Sequence, residues 1–442
     1  MFGTVRVGRF ATVALGILFV LGACSTGASP SGAPPTPTGA QPTAAVSQSP
    51  AAGPVTITAL FMTQAGYTDD EVKAMTDAFT AANPSIKVDL QFVSYEALHE
   101  KIVTDQLGGS GQYDIVLQDA IWGPEFAVAG ISADVTDSIP ADMLSGVFGG
   151  VLVGTQYQGR YYGIPWLNDT QYLYYNKTML QKAGFSAPPS TWDEMEQQAL
   201  AMKQKGIIDY PFVGQYKQGE ALVANWTSTA GGFGMTDFVD AQGNPTFNTG
   251  GSLQALEYMK KLLDEGVTNP ASTNYVSNDV KGALLSGQAA FGIVWAYVYA
   301  DSLDPAKSKV VGEIGIAPMA GGGHACNGGM SLAITKNAKH RQEAIDYALY
   351  LASQPVEEKY VTAALPMWKS SFEKPELSAS APELWAAAEV AYQGMINRPM
   401  VPFYTPLSNA LQVALQEALL GQKTPKAALD GVVAQWGSLQ SQ

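Results

Sequence analysis

Between residues 55 and 118 the hydrophobic period switches back and forth between strand and helix, and few folds accommodate that pattern. Val55–Phe61 is rich in β-forming residues. In Thr68-Asp69-Asp70-Glu71, Thr68 is placed to cap a helix while Glu71 reaches back to the cap amide. Val72, Met75 and Phe79 then recur at helical spacing until Asn83-Pro84 stops the run. Ile86, Val88, Leu90 and Phe92 alternate at period two, as a half-buried strand does. A helix over Tyr95–Leu107 follows, ended by Gly108-Gly109, and Asp114–Gln118 reads as a short apolar strand. This is a βαβ series, and it implies a largely parallel sheet with helices against it. Ligands of open α/β sheets bind past the carboxyl ends of the strands. Asp119 and Trp122 fall there, although Asp119 could instead cap the next helix with Trp122 packed beneath it.

At 442 residues the chain is too long for one ordinary core. Its 39 acidic and 25 basic side chains give a net charge of −14, which argues against nucleic acid bound through a basic face. Arg6 and Arg9 precede an apolar run from Phe10 to Leu21 and then Leu21-Gly22-Ala23-Cys24. A positive start, a short apolar run and small residues before a break form a secretory signal. The run is too short to span a bilayer, which takes about 20 residues. Its ending resembles the bacterial lipoprotein signal, in which Cys24 would become the lipidated first residue; a plain cleaved signal with an incidental Cys is the alternative. Twenty of the thirty residues from Ser25 to Pro54 are Pro, Gly, Ser or Thr and none is charged, so this stretch is expected to be a disordered tether. With Cys24 lipidated, Cys326 stands alone and no intramolecular disulfide is expected.

Further along, Pro189-Ser190-Thr191-Trp192-Asp193-Glu194 opens a helix with a second capping box, from Thr191 or one residue earlier. Amphipathic helices are predicted over Leu253–Glu265, Arg341–Ser353 and Asn409–Leu420. Five segments, in order, resemble the bacterial extracellular solute-binding proteins of sugar ABC importers, the maltose- and trehalose-binding type. They are Phe79 to Val88, with Asn83-Pro84 inside; Tyr161-Tyr162-Gly163-Ile164-Pro165-Trp166 with Asp169 and Tyr174-Tyr175-Asn176-Lys177; Ala183-Gly184-Phe185 running to Glu194; Ser286 to Phe291 followed by Trp295; and Gly328-Gly329 with Arg398-Pro399-Met400-Val401-Pro402-Phe403-Tyr404.

The resemblance implies an α/β, periplasmic-binding-protein-like fold: two α/β lobes joined by hinge segments, with the ligand cleft between them. By similarity the chain divides into a signal (1–23), lipidated Cys and linker (24–54), first lobe (55–167), second lobe (168–318), a return to the first lobe (319–355) and a second-lobe C-terminus (356–442). The crossings are expected near Pro165–Asp169, Pro318–Gly323 and Ser353–Leu365. The function implied is capture of a mono- to oligosaccharide outside the cytoplasm and its delivery to ABC permease subunits. The protein would be a membrane-anchored monomer with no enzymatic activity, no cofactor and no metal.

A sugar offers hydroxyls at its rim and C–H patches on its faces, so a selective site needs flat aromatic walls and charged or amide groups. By the resemblance Trp166 and Asp169, beside Tyr172, line the cleft at the first crossing, although Trp166 could instead be a core anchor; Trp295 matches a stacking residue, with plain core packing as the alternative. Tyr297 shares its face if the strand continues past Trp295. Gly328 and Gly329 would let backbone amides approach the ligand, or simply form a turn. Arg398 offers a fork of donors suited to adjacent hydroxyls, or an interhelical salt bridge. Glu220, Trp226, Trp368 and Gln64 complete the candidates. Val294 stands where relatives often carry Asn, and Met330 where some sugar binders carry Trp, so the number of rings bound stays open.

A secreted glycosidase is the main rival, since Asp119, Asp169 and Glu220 could supply a carboxylate pair, although no spacing demands it. His99, His324 and His340 are scattered, and His324 with Cys326 is not a metal set. Cys326 as a nucleophile lacks a positioned base. A lipoprotein that binds only a partner protein is the third class.

Overall fold

The computed structural model describes residues 53–361 and 364–441; the expected signal, Cys24 and the linker up to residue 52 lie outside the described residues. Its strands are β1 (Val55–Met62), β2 (Ile86–Val93), β3 (Ile115–Asp119), β4 (Gln156–Tyr157), β5 (Arg160–Tyr161), β6 (Ile164–Leu167), β7 (Gln171–Asn176), β8 (Phe212–Val213), β9 (Phe291–Trp295), β10 (Ile314–Ala317) and β11 (Met330–Ile334). The first sheet has the order β2-β1-β3-β11-β6 and the second β10-β7-β9-β8, with β4 and β5 as a separate hairpin.

The opening βαβ series forms as its periods require. Thr68 caps helix Asp69–Ala82: its hydroxyl accepts from the Glu71 N–H at 3.2 Å, while Glu71 accepts from the Thr68 N–H at 2.7 Å. β1 then runs parallel to β2 and to β3. The sheet is not largely parallel throughout, as the sequence suggested. β11 enters in the reverse sense between β3 and β6. It does so because the chain reaches it from the other lobe, after 162 intervening residues (168–329), rather than through a helical crossover on the same sheet.

The second lobe shows the period-two rule directly. Along β7, Leu173 joins the core on one sheet face while Tyr172 and Tyr174 join the core on the other. The strand containing Trp295 stops there, and Tyr297 begins helix Tyr297–Leu303, so Tyr297 does not continue the face of β9. Thr191 caps helix Trp192–Gln204, and Glu194 reaches back to both the amide and the hydroxyl of Ser190, so the two predicted capping registers are used together.

Two segments pass between the sheets side by side. Asn168–Thr170 leads from β6 to β7, and Cys326–Gly329 leads into β11. They are joined by a bridge between Thr170 and Asn327 and by the Gly328 N–H donating to the Asp169 carbonyl, 2.9 Å. The second passage therefore falls later than Pro318–Gly323. Met319, Ala320 and Ala325 still pack in the second-lobe core, and Gly321 to Gly323 form a left-handed turn there. Ile396 pairs in parallel with Cys326 beside them. Val356, Ala364, Met367 and Trp368 pack in the first-lobe core, whereas Leu384 and Trp385 of helix Pro382–Ala391 already pack on the second sheet, so the third passage lies between Trp368 and that helix, later than Ser353–Leu365.

Candidate ligand cleft

The end of β3, the passages 168–170 and 326–329 and the end of β9 carry or adjoin several of the candidates. The sequence candidates separate into three groups there.

Trp295 and Asp169 remain at the junction. Trp295 is partly buried at the end of β9, and its ring lies against the backbone of Gly328. A Cβ on Gly328 would sit 2.3 Å from the Trp295 ring. Gly328 is thus needed for the seat of the indole rather than for ligand contact, since its amide is spent on Asp169. Gly329 likewise donates to the Asn327 side chain, 2.8 Å, and its carbonyl accepts from Ala120. The Asp169 carboxylate accepts from the Thr170 N–H at 2.8 Å, and burial pushes its pKa up to about 7. Trp166, 1% exposed, is wedged between Phe61 and Tyr67 with its indole N–H unpartnered, and the buried Tyr172 hydroxyl also lacks a well-formed hydrogen bond. Gln64 and Tyr297 both line a cavity of about 210 Å3, together with Tyr67 and Asp301. Gln64 holds a left-handed backbone, φ 59°, in the turn that presents Tyr67.

Asp119, Glu220 and Arg398 meet, but chiefly one another. The Arg398 guanidinium donates to Glu220 at 2.7 Å, to Asp119 at 3.2 Å and to the Asn327 carbonyl at 3.0 Å. Tyr95 donates to Asp119 at 2.8 Å, Tyr404 to Glu220 at 2.6 Å, and Ser408 also to Glu220. Asp119 ends β3 of the first lobe and Glu220 opens helix Glu220–Gly231 of the second. The network is a buried tie between lobes, and it replaces the expected donor fork for sugar hydroxyls.

Three tryptophans are core residues. Trp122 stacks on Tyr95 and packs against His99 and Phe126. Trp226 is fully buried in the second-lobe core and donates to the Ser252 carbonyl, 2.8 Å. Trp368 packs on Gly146 and donates to the Ala352 carbonyl, 3.1 Å. Each indole that forms such an internal bond has no reason to face a cleft.

Four junction residues carried no sequence signal of their own, apart from Asn168 lying beside Asp169. Both amide atoms of buried Asn168 are unpartnered. Glu357 is wholly buried; one carboxyl oxygen accepts from the Met367 N–H at 3.0 Å and the other is unpartnered. Tyr67 and Tyr392 are its electrostatic neighbours, and Tyr392 also neighbours Asp169 and Tyr172. Among the described residues no group of three or more His, Cys, Asp or Glu side chains could hold a metal ion. Cys326 is buried, and burial raises its thiol to about 12, which leaves it an inert thiol.

The family model of the bacterial extracellular solute-binding proteins matches residues 65–358. The chain belongs to that family. A chain of Brucella abortus (strain 2308) named as a binding protein is 27% identical over 399 residues, covering 88% of this chain and 94% of the relative. A probable ABC transporter-binding protein of Deinococcus radiodurans is 27% identical over 378 residues, covering 81% and 88%. Among solved structures, maltose-bound T. maritima MalE3 superposes with a TM-score of 0.79 at 26% identity, covering 87% of this chain and 99% of that one. A ribitol complex from Agrobacterium radiobacter K84 gives 0.77 at 25%, covering 87% and 98%. This solute-binding protein is therefore an extracytoplasmic component of an ABC importer, with two α/β lobes.

The contact between Gly328 and Trp295 gives a direct expectation. Gly328→Val places a side chain where the indole lies, so the ring must tilt off its seat. Ligand affinity should fall severalfold while the unfolding midpoint stays near that of the parent, as measured by calorimetric titration and urea unfolding of both proteins.

Proposed function

We propose that this solute-binding protein captures a carbohydrate between its lobes and hands it to an ABC permease, while tethered to the outer face of the membrane through lipid on Cys24. The observation that carries the reading is the set of buried polar atoms without partners among the junction residues: Trp166 Nε1, both amide atoms of Asn168 and one Glu357 oxygen. Leaving such a group shut in and unpaired costs about 1–3 kcal/mol. A polyhydroxylated ligand recovers that cost in the closed form, and water recovers it when the lobes part, so closure is coupled to ligand. Half-buried Trp295 supplies a flat wall beside them, and the sugar-bound and polyol-bound relatives support the same ligand class. The contact residues of this reading are Trp295, Asp169, Tyr172, Trp166, Tyr297 and Gln64, joined by Asn168, Tyr67, Glu357 and Tyr392. The lobes divide at the passages 168–170 and 326–329, and the protein acts as a monomer.

The glycosidase reading is not favoured. Two of its three carboxylates, Asp119 and Glu220, are held by Arg398 rather than offered across a scissile bond. A thermal-shift panel of mono-, di- and oligosaccharides and polyols tests the proposal. A ligand at about 1,000 times its Kd adds roughly 4 kcal/mol to the native state, so at least one member should raise the midpoint by several degrees. No shift with any member at millimolar concentration, or release of reducing ends from a polysaccharide, contradicts it.

A further inference from the structure

The lobe junction offers a sugar few flat walls and little room. Each further ring of an oligosaccharide adds a C–H face, which a selective site covers with another aromatic surface. Of the eight tryptophans only Trp295 escapes burial. Tyr297, two residues on, is half-buried, and Lys281 lies over its ring at 5.1 Å, so one face of that ring is already covered.

The Arg398 tie takes up space where the lobes face each other. Its guanidinium reaches Asp119 at the end of β3 and Glu220 at the start of helix Glu220–Gly231, and all three side chains are largely buried. Tyr95 donates to Asp119, and Tyr404 and Ser408 donate to Glu220, so the same carboxylates are packed round with internal partners. A sugar ring lying between Asp119 and Glu220 would part them from Arg398 and strand buried charge, which is costly.

The cavity of about 210 Å3 is built from both lobes, with Gln64, Tyr67 and Glu71 on the first and Tyr297, Ala300 and Asp304 on the second. Pockets that bury drug-sized ligands span roughly 300–1,000 Å3. A disaccharide belongs to that size class, whereas a hexose or a hexitol is half a disaccharide.

Building on the carbohydrate reading of this cleft, we propose that its ligand is a monosaccharide or an acyclic polyol of similar size, held in this cavity between the turn at 64–67 and helix Tyr297–Leu303. The supply of aromatic surface, the tie between Asp119 and Glu220 and the volume of the cavity set the same limit independently.

Calorimetric titration of the full-length chain tests the proposal. The probes are D-glucose, D-galactose, D-mannose, D-glucitol and D-mannitol against maltose, trehalose, lactose and maltotriose, with every member of the thermal-shift panel that moves the midpoint added to its size class. At least one monosaccharide or polyol should bind about tenfold or more tighter than any di- or trisaccharide. Ala300→Phe puts a ring into the cavity from the second lobe. It should weaken the best small ligand by about tenfold or more at an unchanged urea midpoint. Ala300→Leu makes the same test with a smaller side chain if Ala300→Phe does not fold. A di- or trisaccharide that binds tighter than every monosaccharide and polyol would overturn the size limit and leave carbohydrate capture standing. Unchanged affinity in the folded Ala300 variant would overturn the assignment to this cavity. If no probe binds and the thermal-shift panel is also silent, the carbohydrate reading fails, and this proposal fails with it.

Discussion

Arg398→Met should destabilise the protein by about 3–5 kcal/mol, because it strips the counter-charge from two carboxylates that stay buried. Asp119 is 3% exposed and Arg398 2%, and they come from opposite ends of the chain, 279 residues apart. Glu220 ties the same guanidinium to the second lobe. Methionine fills much of the volume of the arginine stem, so the loss would reflect charge rather than a cavity. Urea unfolding at neutral pH should show a lowered midpoint. The triple variant Arg398→Met, Asp119→Asn, Glu220→Gln should regain most of the loss, because removing all the charges avoids the unpaired state. A single variant within about 1 kcal/mol of the parent would mean that the tie contributes little to the fold.

The second large effect belongs to Asp169. Asp169→Asn should weaken ligand binding by roughly ten- to a hundredfold, the range expected for a hydrogen bond to a charged acceptor in a closed site. Its pKa of about 7, against an ordinary 3.8, fixes the direction of the pH effects. In the unliganded protein the folded state holds this proton more tightly than the unfolded chain. The contribution of Asp169 to stability is therefore fully present below about pH 4 and is lost as pH rises through 7. A ligand that donates to the carboxylate favours its ionised form, so binding expels a proton. Affinity for a neutral sugar should climb up to tenfold per pH unit between 5 and 7 and level off above, and the slope should vanish in Asp169→Asn. Titrations at pH 5, 6, 7 and 8 read both effects, and a flat profile in the parent would remove Asp169 from the site.

What the sequence revealed and what it hid divide by the range of the interaction. The Thr68–Glu71 cap and the alternation of Ile86, Val88, Leu90 and Phe92 are local, and both are realised as read. The reversed insertion of β11 between β3 and β6 depends on where the chain returns from the other lobe, and no local period encodes that. Indoles were the hardest to sort. Trp226, Trp368 and Trp295 look alike in sequence, yet the first two find the carbonyls of Ser252 and Ala352, while the third meets a glycine at the hinge. Two readings are open for Arg398 in the sequence, a donor fork for sugar hydroxyls and a salt bridge, and its partners 178 and 279 residues away favour the second. Glu357 and Tyr392 lie on or beside helices with no motif of their own, and only tertiary packing brings Tyr392 to Asp169 and Tyr172 and Glu357 to Tyr392.

The most direct measurement is calorimetric titration of the sugar that most stabilises the protein, with the parent and with Trp295→Ala. The parent should saturate at one site per chain with a micromolar or tighter Kd. Trp295→Ala should bind about tenfold more weakly while largely keeping its unfolding midpoint, because the indole lies at the edge of the core and is partly exposed. Superimposable isotherms for the two proteins would place the ligand somewhere other than this cleft. No heat of binding from any sugar would contradict carbohydrate capture itself.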